Sequence, residues 1–110
     1  MINATLCSTN STEPWAANVD IEVHGSTWQV GLSTKYAHYK NILGNKNVVI
    51  VYKTTSFEIL ARGIASLSEP DTNQMATATI NLAWLRLVEN NTTVDYTNAN
   101  EIEGIVISHI

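Results

Sequence analysis

The stretch Asn47-Val48-Val49-Ile50-Val51-Tyr52-Lys53 decides the fold class of this 110-residue chain. Positions 48–51 hold four consecutive β-branched residues, which favour strands because their side chains pack well on a pleated surface. A short apolar run without polar residues at alternate positions predicts a strand that is buried on both faces. We therefore expect this segment to lie near the middle of a sheet.

The segments on either side of this run also read as strands. Residues 57–67 follow a polar turn and predict an antiparallel partner, in which Gly63 marks a bulge or a close backbone approach. Residues 76–89 predict a long strand whose inward-facing positions change parity near Trp84, as a bulge would cause. Upstream, residues 19–23 and 27–32 alternate apolar and polar side chains, which is typical of half-buried strands.

Two segments predict helical structure. Ser33 or Thr34 can cap a helix that ends at Gly44-Asn45, and a short helical turn is expected at 97–104 before a final strand at 105–110. The sequence therefore predicts a mostly β, α+β domain: a small twisted barrel with one or two short helices. We expect residues 1–14 to be a flexible N-terminal arm, because they are polar and rich in Thr, Ser and Asn, and residues 15–110 to form a single domain.

Composition excludes several classes of protein. Hydrophobic residues make up 45% of the chain and charged residues 15%, as in a folded globular domain. The lone Cys7 cannot form an internal disulfide, and no Cys/His cluster has zinc-ligand spacing. The N-terminus does not resemble a signal peptide, and no glycine-rich loop suits a phosphate. These features predict a cytoplasmic protein without a metal or a cofactor.

A basic and aromatic window stands out against the net charge of −4. No acidic residue occurs between Gly25 and Phe57, although four of the six basic residues lie there. Such a locally positive region suits a stacked base beside a phosphate. Its basic and aromatic residues are Lys35, Lys40, Lys46, Lys53, Trp28, Tyr36, Tyr39 and Tyr52.

Five short motifs resemble the PUA-like superfamily, and most closely its EVE branch, which includes N-terminal specificity domains of McrB-type restriction proteins. The resemblance covers roughly residues 27–71. Two positions depart from the family pattern: Lys46-Asn47 replaces a Gly-Asp, and Ser33-Thr34 replaces an Asn-Pro. The motifs are Trp28-Gln29-Val30, Ser33-Thr34-Lys35-Tyr36, Asn47-Val48-Val49-Ile50-Val51-Tyr52, Ala61-Arg62-Gly63-Ile64-Ala65 and Ser68-Glu69-Pro70.

The resemblance implies a PUA-like pseudo-barrel that recognises a modified or flipped base, in DNA more readily than in RNA. By base flipping it would give specificity to a downstream NTPase domain or nuclease subunit of a restriction system. Aromatic rings would stack on the base and cations would contact the phosphates. The nucleic-acid-binding residues expected on this basis are Trp28, Ser33, Lys35, Tyr36, Tyr39, Lys40, Tyr52 and Arg62.

Other interpretations of these residues stay open at this stage. Trp28 fits the core of an ordinary barrel better than it fits a stacking platform, and the lysines can belong to an ordinary solvated face. No strained serine turn of the G-x-S-x-G type occurs, so we expect no catalysis by this domain alone. The alternative function is a structural or protein-binding β module, a viral or surface component without a nucleic-acid role, which the acidic charge would suit.

Overall fold

A computed structural model describes residues 1–10 and 14–110, and these residues form seven strands and two short helices. The predicted fold class, a mostly β domain with a twisted barrel, is confirmed. Neither helix in the described part of the chain combines the length and apolar composition that crossing a membrane requires. The elements are β1 (Ile2–Thr9), β2 (Pro14–His24), β3 (Thr27–Ser33), α1 (Ala37–Gly44), β4 (Asn47–Lys53), β5 (Phe57–Leu67), β6 (Met75–Glu89), β7 (Thr92–Tyr96) and α2 (Ala99–His109).

Six of the strands close into a barrel. The sheet order is β3-β2-β1-β4-β5-β6-β7, and an additional pairing between β3 and β6 closes it. The closing ladder has seven antiparallel pairs, from Thr27 with Asn81 to Ser33 with Met75. Strand β7 lies outside the closed barrel, because it pairs with the second half of β6, from Leu85 to Glu89.

The core fills the barrel interior and extends under α2. Leu6, Ile50 and Ile59 lie on neighbouring strands β1, β4 and β5 and are almost completely buried. Ile102 and Val106 are four residues apart on one face of α2, and both are buried in the same cluster. Burial of a large aliphatic side chain contributes about 1.5 to 3 kcal/mol to the free energy of folding, so these buried residues stabilise the closed barrel.

Strand β4 is central, between β1 and β5, as its sequence predicts. The prediction that both of its faces are buried is only half right. Val48 and Ile50 are buried, whereas Val49 and Val51 point outward and are half-buried. Neither α1 nor α2 covers this outer face, since α1 contacts mainly β1 and α2 contacts mainly β6. An apolar patch therefore lies on the outside of the barrel.

The expected N-terminal arm is wrong for residues 2–9, which form β1 in the middle of the sheet. Its inward side chains, Ile2, Ala4, Leu6 and Ser8, are buried, and the alternate residues Asn3, Thr5, Cys7 and Thr9 face outward. A Thr-rich alternation is a strand pattern, because threonine is β-branched. The part of the predicted arm at 11–13 lies outside the described residues.

The expected final strand at 105–110 is also wrong, because residues 99–109 form α2. The side chain of Asn98 caps this helix by accepting hydrogen bonds from the backbone N–H groups of Asn100 and Glu101. At the other helix the predicted caps are displaced. Tyr36, without a side-chain capping bond, precedes α1, and the hydroxyl of Ser33 accepts a bond from the Lys35 N–H.

The predicted bulge is present. The β5–β6 register shifts between Arg62 and Gly63, so that Ala83 has no partner between Leu82 and Trp84. A Cβ atom on Gly63 would lie 2.6 Å from Ile80 Cγ2 and 2.8 Å from the carbonyl oxygen of Asn81. Only glycine lets β5 approach β6 this closely.

A first prediction tests the two faces of β4. Replacing Ile50, at 1% exposure, by Asp places an unpaired charge in the core and should cost more than about 4 kcal/mol, so the domain should unfold. Val51→Asp makes the same change on the outer face and should leave a cooperatively melting protein. Circular dichroism melts of both variants would check this, and a folded Ile50→Asp protein would contradict the assignment of the core face.

A second prediction concerns Gly63. Gly63→Ala should lower the free energy of unfolding by about 1 to 3 kcal/mol, because the new methyl group meets backbone that cannot move away. Gly31→Ala is the matched control, since its nearest neighbour would be the Met75 methyl at 3.9 Å. The control should be neutral or stabilising by up to about 1 kcal/mol. Urea titrations of the two variants measure the difference, and equal stabilities would show that the bulge tolerates a side chain.

Candidate functional site

The residues predicted to bind nucleic acid do not come together in one pocket. Trp28 is fully buried, and its Nε1 donates a 2.9 Å hydrogen bond to the Gly25 carbonyl, so its ring is not available for stacking. Tyr39 packs against the core, and Tyr52 makes an edge contact with Phe57 at 6.0 Å between ring centroids. The core interpretation of Trp28 is therefore the right one.

The remaining predicted residues lie apart from one another. Lys35, Tyr36 and Lys40 are exposed around the start of α1, where Tyr36 is 57% exposed. The Ser33 side chain is occupied within the turn before that helix. Arg62 is the only one of the eight that lines either of the two largest described cavities.

The larger of these cavities, which we call the split cavity, has a volume of about 380 Å³ and lies where β1 and β4 separate. The two strands pair over only three positions, ending at Cys7 with Val49. Residues 7–9 then form one wall and residues 47–49 the other, and the remaining lining residues are Pro14, Asn45, Arg62 and Gly63. Its volume is within the range of small-molecule pockets.

Helix α1 connects the two separated strands by hydrogen bonds. On the β1 side, Asn41 Nδ2 donates to Ser8 Oγ at 3.2 Å and to the Ser8 carbonyl at 3.4 Å. On the β4 side, Asn45 Oδ1 accepts from the backbone N–H of Asn47 at 3.1 Å. The backbone N–H of Asn45 in turn donates to the Asn41 carbonyl at 2.8 Å. The helix end thus replaces the strand pairing that is missing between the two walls.

A buried histidine is part of this connection. His38 is 3% exposed, and its Nδ1 lies 2.6 Å from Ser8 Oγ. Ser8 Oγ also accepts from Asn41, and because a hydroxyl has one donor and two acceptor sites, its bond with His38 Nδ1 can run in either direction, according to the tautomer of the ring. Nε2 is buried and has no hydrogen-bond partner among the described residues. Burial lowers the pKa of His38 and keeps it neutral.

A second cavity, of about 350 Å³, lies on the other side of Arg62 and shares Asn47, Arg62 and Gly63 with the split cavity. The Arg62 guanidinium lies 4.4 Å from the centroid of the Trp84 ring, and Arg86 lies 5.2 Å from it. A cation over an indole face is electrostatically attracted to it. This arrangement follows from the bulge, which places Trp84 directly opposite Arg62.

The two arginines differ in their remaining contacts. Arg86 makes a two-pronged ion pair with Asp95, at 2.7 and 3.0 Å. The hydrogen bonds from Arg86 hold the pKa of that carboxyl below its usual value. Within residues 1–10 and 14–110, no ion pair involves Arg62. Arg62 therefore lies between the two cavities without an ion pair, although its charge also acts on the Asp95 carboxylate.

Sequence reasoning missed most of the residues that line or support this site. Cys7, Ser8 and Asn45 line the split cavity, and His38 supports it, yet none was selected. The asparagines offered no periodic signal, and Ser8 was assigned to the flexible arm. No three His, Cys, Asp or Glu side chains in the described ranges come together as a metal site.

Comparison with known proteins identifies the fold. No protein-family model matches the sequence, and no curated protein matches it. A heme binding protein from Mycobacterium smegmatis has a TM-score of 0.78 and 14% identity, over 93% of this chain and 55% of that chain. A putative pyridoxamine 5′-phosphate oxidase from Listeria innocua has a TM-score of 0.69 and 16% identity, over 82% of this chain and 89% of that chain. A pyridoxamine 5′-phosphate oxidase-related, FMN binding protein from Nostoc punctiforme has a TM-score of 0.73 and 8% identity, over 84% of this chain and 78% of that chain.

The fold is thus that of the split barrels related to pyridoxamine 5′-phosphate oxidase, and the resemblance to the PUA-like superfamily and its EVE branch is wrong. The functional expectations that rested on that resemblance are therefore also wrong. These were the recognition of a base in DNA and a partner NTPase or nuclease of a McrB-type restriction system. The alternative, a structural or protein-binding module, does not fit these neighbours either. The misleading motifs were short segments that many small barrels can share.

A third prediction follows from His38. Because its folded-state pKa is lowered, the unfolded chain binds a proton more readily, with the ordinary pKa near 6.5. The contribution of neutral His38 to stability is therefore complete above about pH 6.5 and is lost as the pH falls towards the folded-state pKa. His38→Gln should flatten this part of the pH dependence, measured by urea titrations at pH 7.5 and pH 5.

The exposed His24 supplies the control for this measurement, since it lies outside the Ser8–Asn41 network. His24→Gln should keep the wild-type difference in unfolding free energy between the two pH values. If His38→Gln and His24→Gln show the same pH dependence, the buried histidine does not govern acid stability.

Proposed function

We propose that this domain binds a flavin of the FMN class in the split cavity, with the phosphate on Arg62. The observation that carries the proposal is that Arg62, which makes no ion pair among the described residues, lines a cavity of about 380 Å³ with largely apolar walls. A planar ring needs apolar walls, and a phosphate needs a fixed cation. The structural neighbours, one of which is an FMN binding protein, support the same ligand class.

The residues present fit a flavin better than a heme. The outward-facing side chain of Val49 offers an apolar surface to a ring, and Arg62 presents a planar fork of donors to a phosphate. A heme iron would need a side-chain ligand such as His, Cys, Met or Tyr. Of these types the split cavity offers only Cys7, and burial raises the pKa of its thiol, which disfavours the thiolate that would bind iron.

The histidines do not supply the missing heme ligand. His38 is buried beneath α1, and His24 and His109 lie 3.0 and 3.1 Å from the carboxylates of Glu22 and Glu89. None of the three lines the split cavity or the second cavity.

A bound flavin would supply hydride or single-electron transfer, which the protein side chains cannot perform by themselves. The chain's own residues would bind and orient it: Arg62 by charge, Val49 by contact, and Asn45 and Asn47 by their amides. The expectation from the sequence that this domain alone does not catalyse a reaction stays a prediction. A cytoplasmic location, where FMN is available, also stays a prediction from the sequence.

The fourth prediction tests this proposal by titration. FMN should bind the domain with quenching of flavin fluorescence, and Arg62→Gln should weaken FMN binding about tenfold or more through loss of a charge-assisted bond. Riboflavin, which lacks the phosphate, should bind the parent and Arg62→Gln with affinities equal to within about twofold. Isothermal titration calorimetry measures all four affinities.

Lys35→Gln is the control for charge, because Lys35 is exposed and lies outside both cavities. It should bind FMN like the parent. A hemin titration of the same proteins covers the other ligand named among the neighbours. Absence of FMN binding at millimolar concentration, or equal losses in the Arg62 and Lys35 variants, would refute a flavin phosphate site at Arg62.

A further inference from the structure

Two asparagines at the margin of the split cavity hold each other in fixed orientations. The backbone N–H of Asn47 lies 3.1 Å from Asn45 Oδ1, and Asn47 Nδ2 lies 3.2 Å from the same oxygen. A backbone N–H can only donate, so the atom that faces it must be the amide oxygen of Asn45. The Asn47 atom that faces this oxygen must then be the amide nitrogen. The donor and acceptor ends of both side chains are therefore determined by chemistry.

The unused ends of the pair are one donor group and one acceptor group. Within the described residues, Asn45 Nδ2 and Asn47 Oδ1 have no hydrogen-bond partner, and both residues line the split cavity. Asn45 is half-buried where it ends α1, and its own N–H bond to Asn41 holds it in place. A ligand that enters the cavity would thus meet amide donors and an amide acceptor on two linked side chains.

We infer that the split cavity recognises its ligand by a lactam or imide edge, with Asn45 donating to the ring carbonyl and Asn47 accepting from the adjacent ring N–H. A carbonyl beside an N–H is the arrangement that complements a neighbouring donor and acceptor. This inference rests on the proposed function, because it takes the split cavity as the ligand site. It adds the chemical class of the ring edge, which the isoalloxazine of a flavin carries on its pyrimidine ring, beside the central ring that bears the phosphate chain.

The site should bind a ligand that carries the imide edge much more tightly than an analogue that lacks it. A site that hydrogen-bonds a ligand group rejects an analogue without that group, because its own polar atoms are left unpaired. Methylation of the ring nitrogen of the imide removes the donor and adds bulk against Asn47. FMN methylated at this nitrogen is therefore the probe that separates edge recognition from general ring binding.

The fifth prediction uses Asn45→Asp and Asn47→Ala. Asn45→Asp keeps an oxygen for the Asn47 N–H and so keeps the turn, but it replaces the donor with an acceptor; FMN binding should weaken about tenfold or more. The parent should prefer FMN to the methylated FMN by a similar factor. Asn47→Ala, which has no acceptor, should reduce this preference to about twofold or less. Asn100→Asp, on the exposed surface of α2, makes the same charge change away from the cavity and should bind FMN like the parent.

The outcomes separate this inference from the proposed function. In one outcome, FMN binds with an affinity that depends on Arg62, but the parent binds methylated FMN equally well and Asn45→Asp behaves like Asn100→Asp. Edge recognition is then refuted and the FMN site stands. If FMN does not bind, lumichrome, a phosphate-free ring with the same imide edge, decides. Lumichrome binding that Asn45→Asp weakens would retain the edge and refute the FMN assignment, whereas absence of binding by both ligands would refute both. Thermal melts confirm that each variant is folded.

Discussion

The ladder that joins β3 to β6 is the constraint on which the rest of the structure depends, because it turns an open sheet into a closed barrel. It occupies the first half of β6, whereas the second half of the same strand pairs with β7. The bulge at Ala83 lies between these two halves, and bulges bend the strand that carries them. The absence of a side chain at Gly63 lets β5 stay close to β6 at this point.

The same bend prepares the outer face for ligand binding. By shifting the register, it sets Trp84 opposite Arg62, so that the guanidinium lies 4.4 Å from the centroid of the indole ring. Arg86 makes the ion pair with Asp95, whereas Arg62 makes none among the described residues. A feature that the barrel needs for closure therefore also places the one cation that both cavities share.

The sequence predicted correctly those elements that are determined by the residue types within the segment itself. The β-branched run of β4 identified a central strand, and the change of parity near Trp84 identified the bulge, with Gly63 as its close approach. These predictions hold because side chains alternate between faces along a strand, whatever the rest of the chain does. The half-buried outer face of β4 was missed, since it depends on which elements cover the sheet.

Features set by distant partners could not be predicted in this way. Trp28 is enclosed because β3 pairs with β6, about fifty residues away, and nothing in its own segment indicates that. Strand β1 looked like an arm because its inward residues include the small Ala4 and Ser8. The asparagines of the candidate site lie at the ends of a helix and a strand, where no hydrophobic period marks them.

The order of pairing also has a consequence for how the chain folds. Neighbouring strands form two meanders, β1–β2–β3 and β4–β5–β6–β7, each held by contacts between segments close in sequence. Two seams join them: the three pairs of β1 with β4 and the seven pairs of β3 with β6, whose outermost residues are 54 apart. Such non-local pairing raises contact order, and loop-closure entropy must be overcome before those contacts form. Closure of the barrel is therefore expected to limit the folding rate, and the short β1–β4 seam, which borders the split cavity, should be the first part of the sheet to exchange its amide hydrogens.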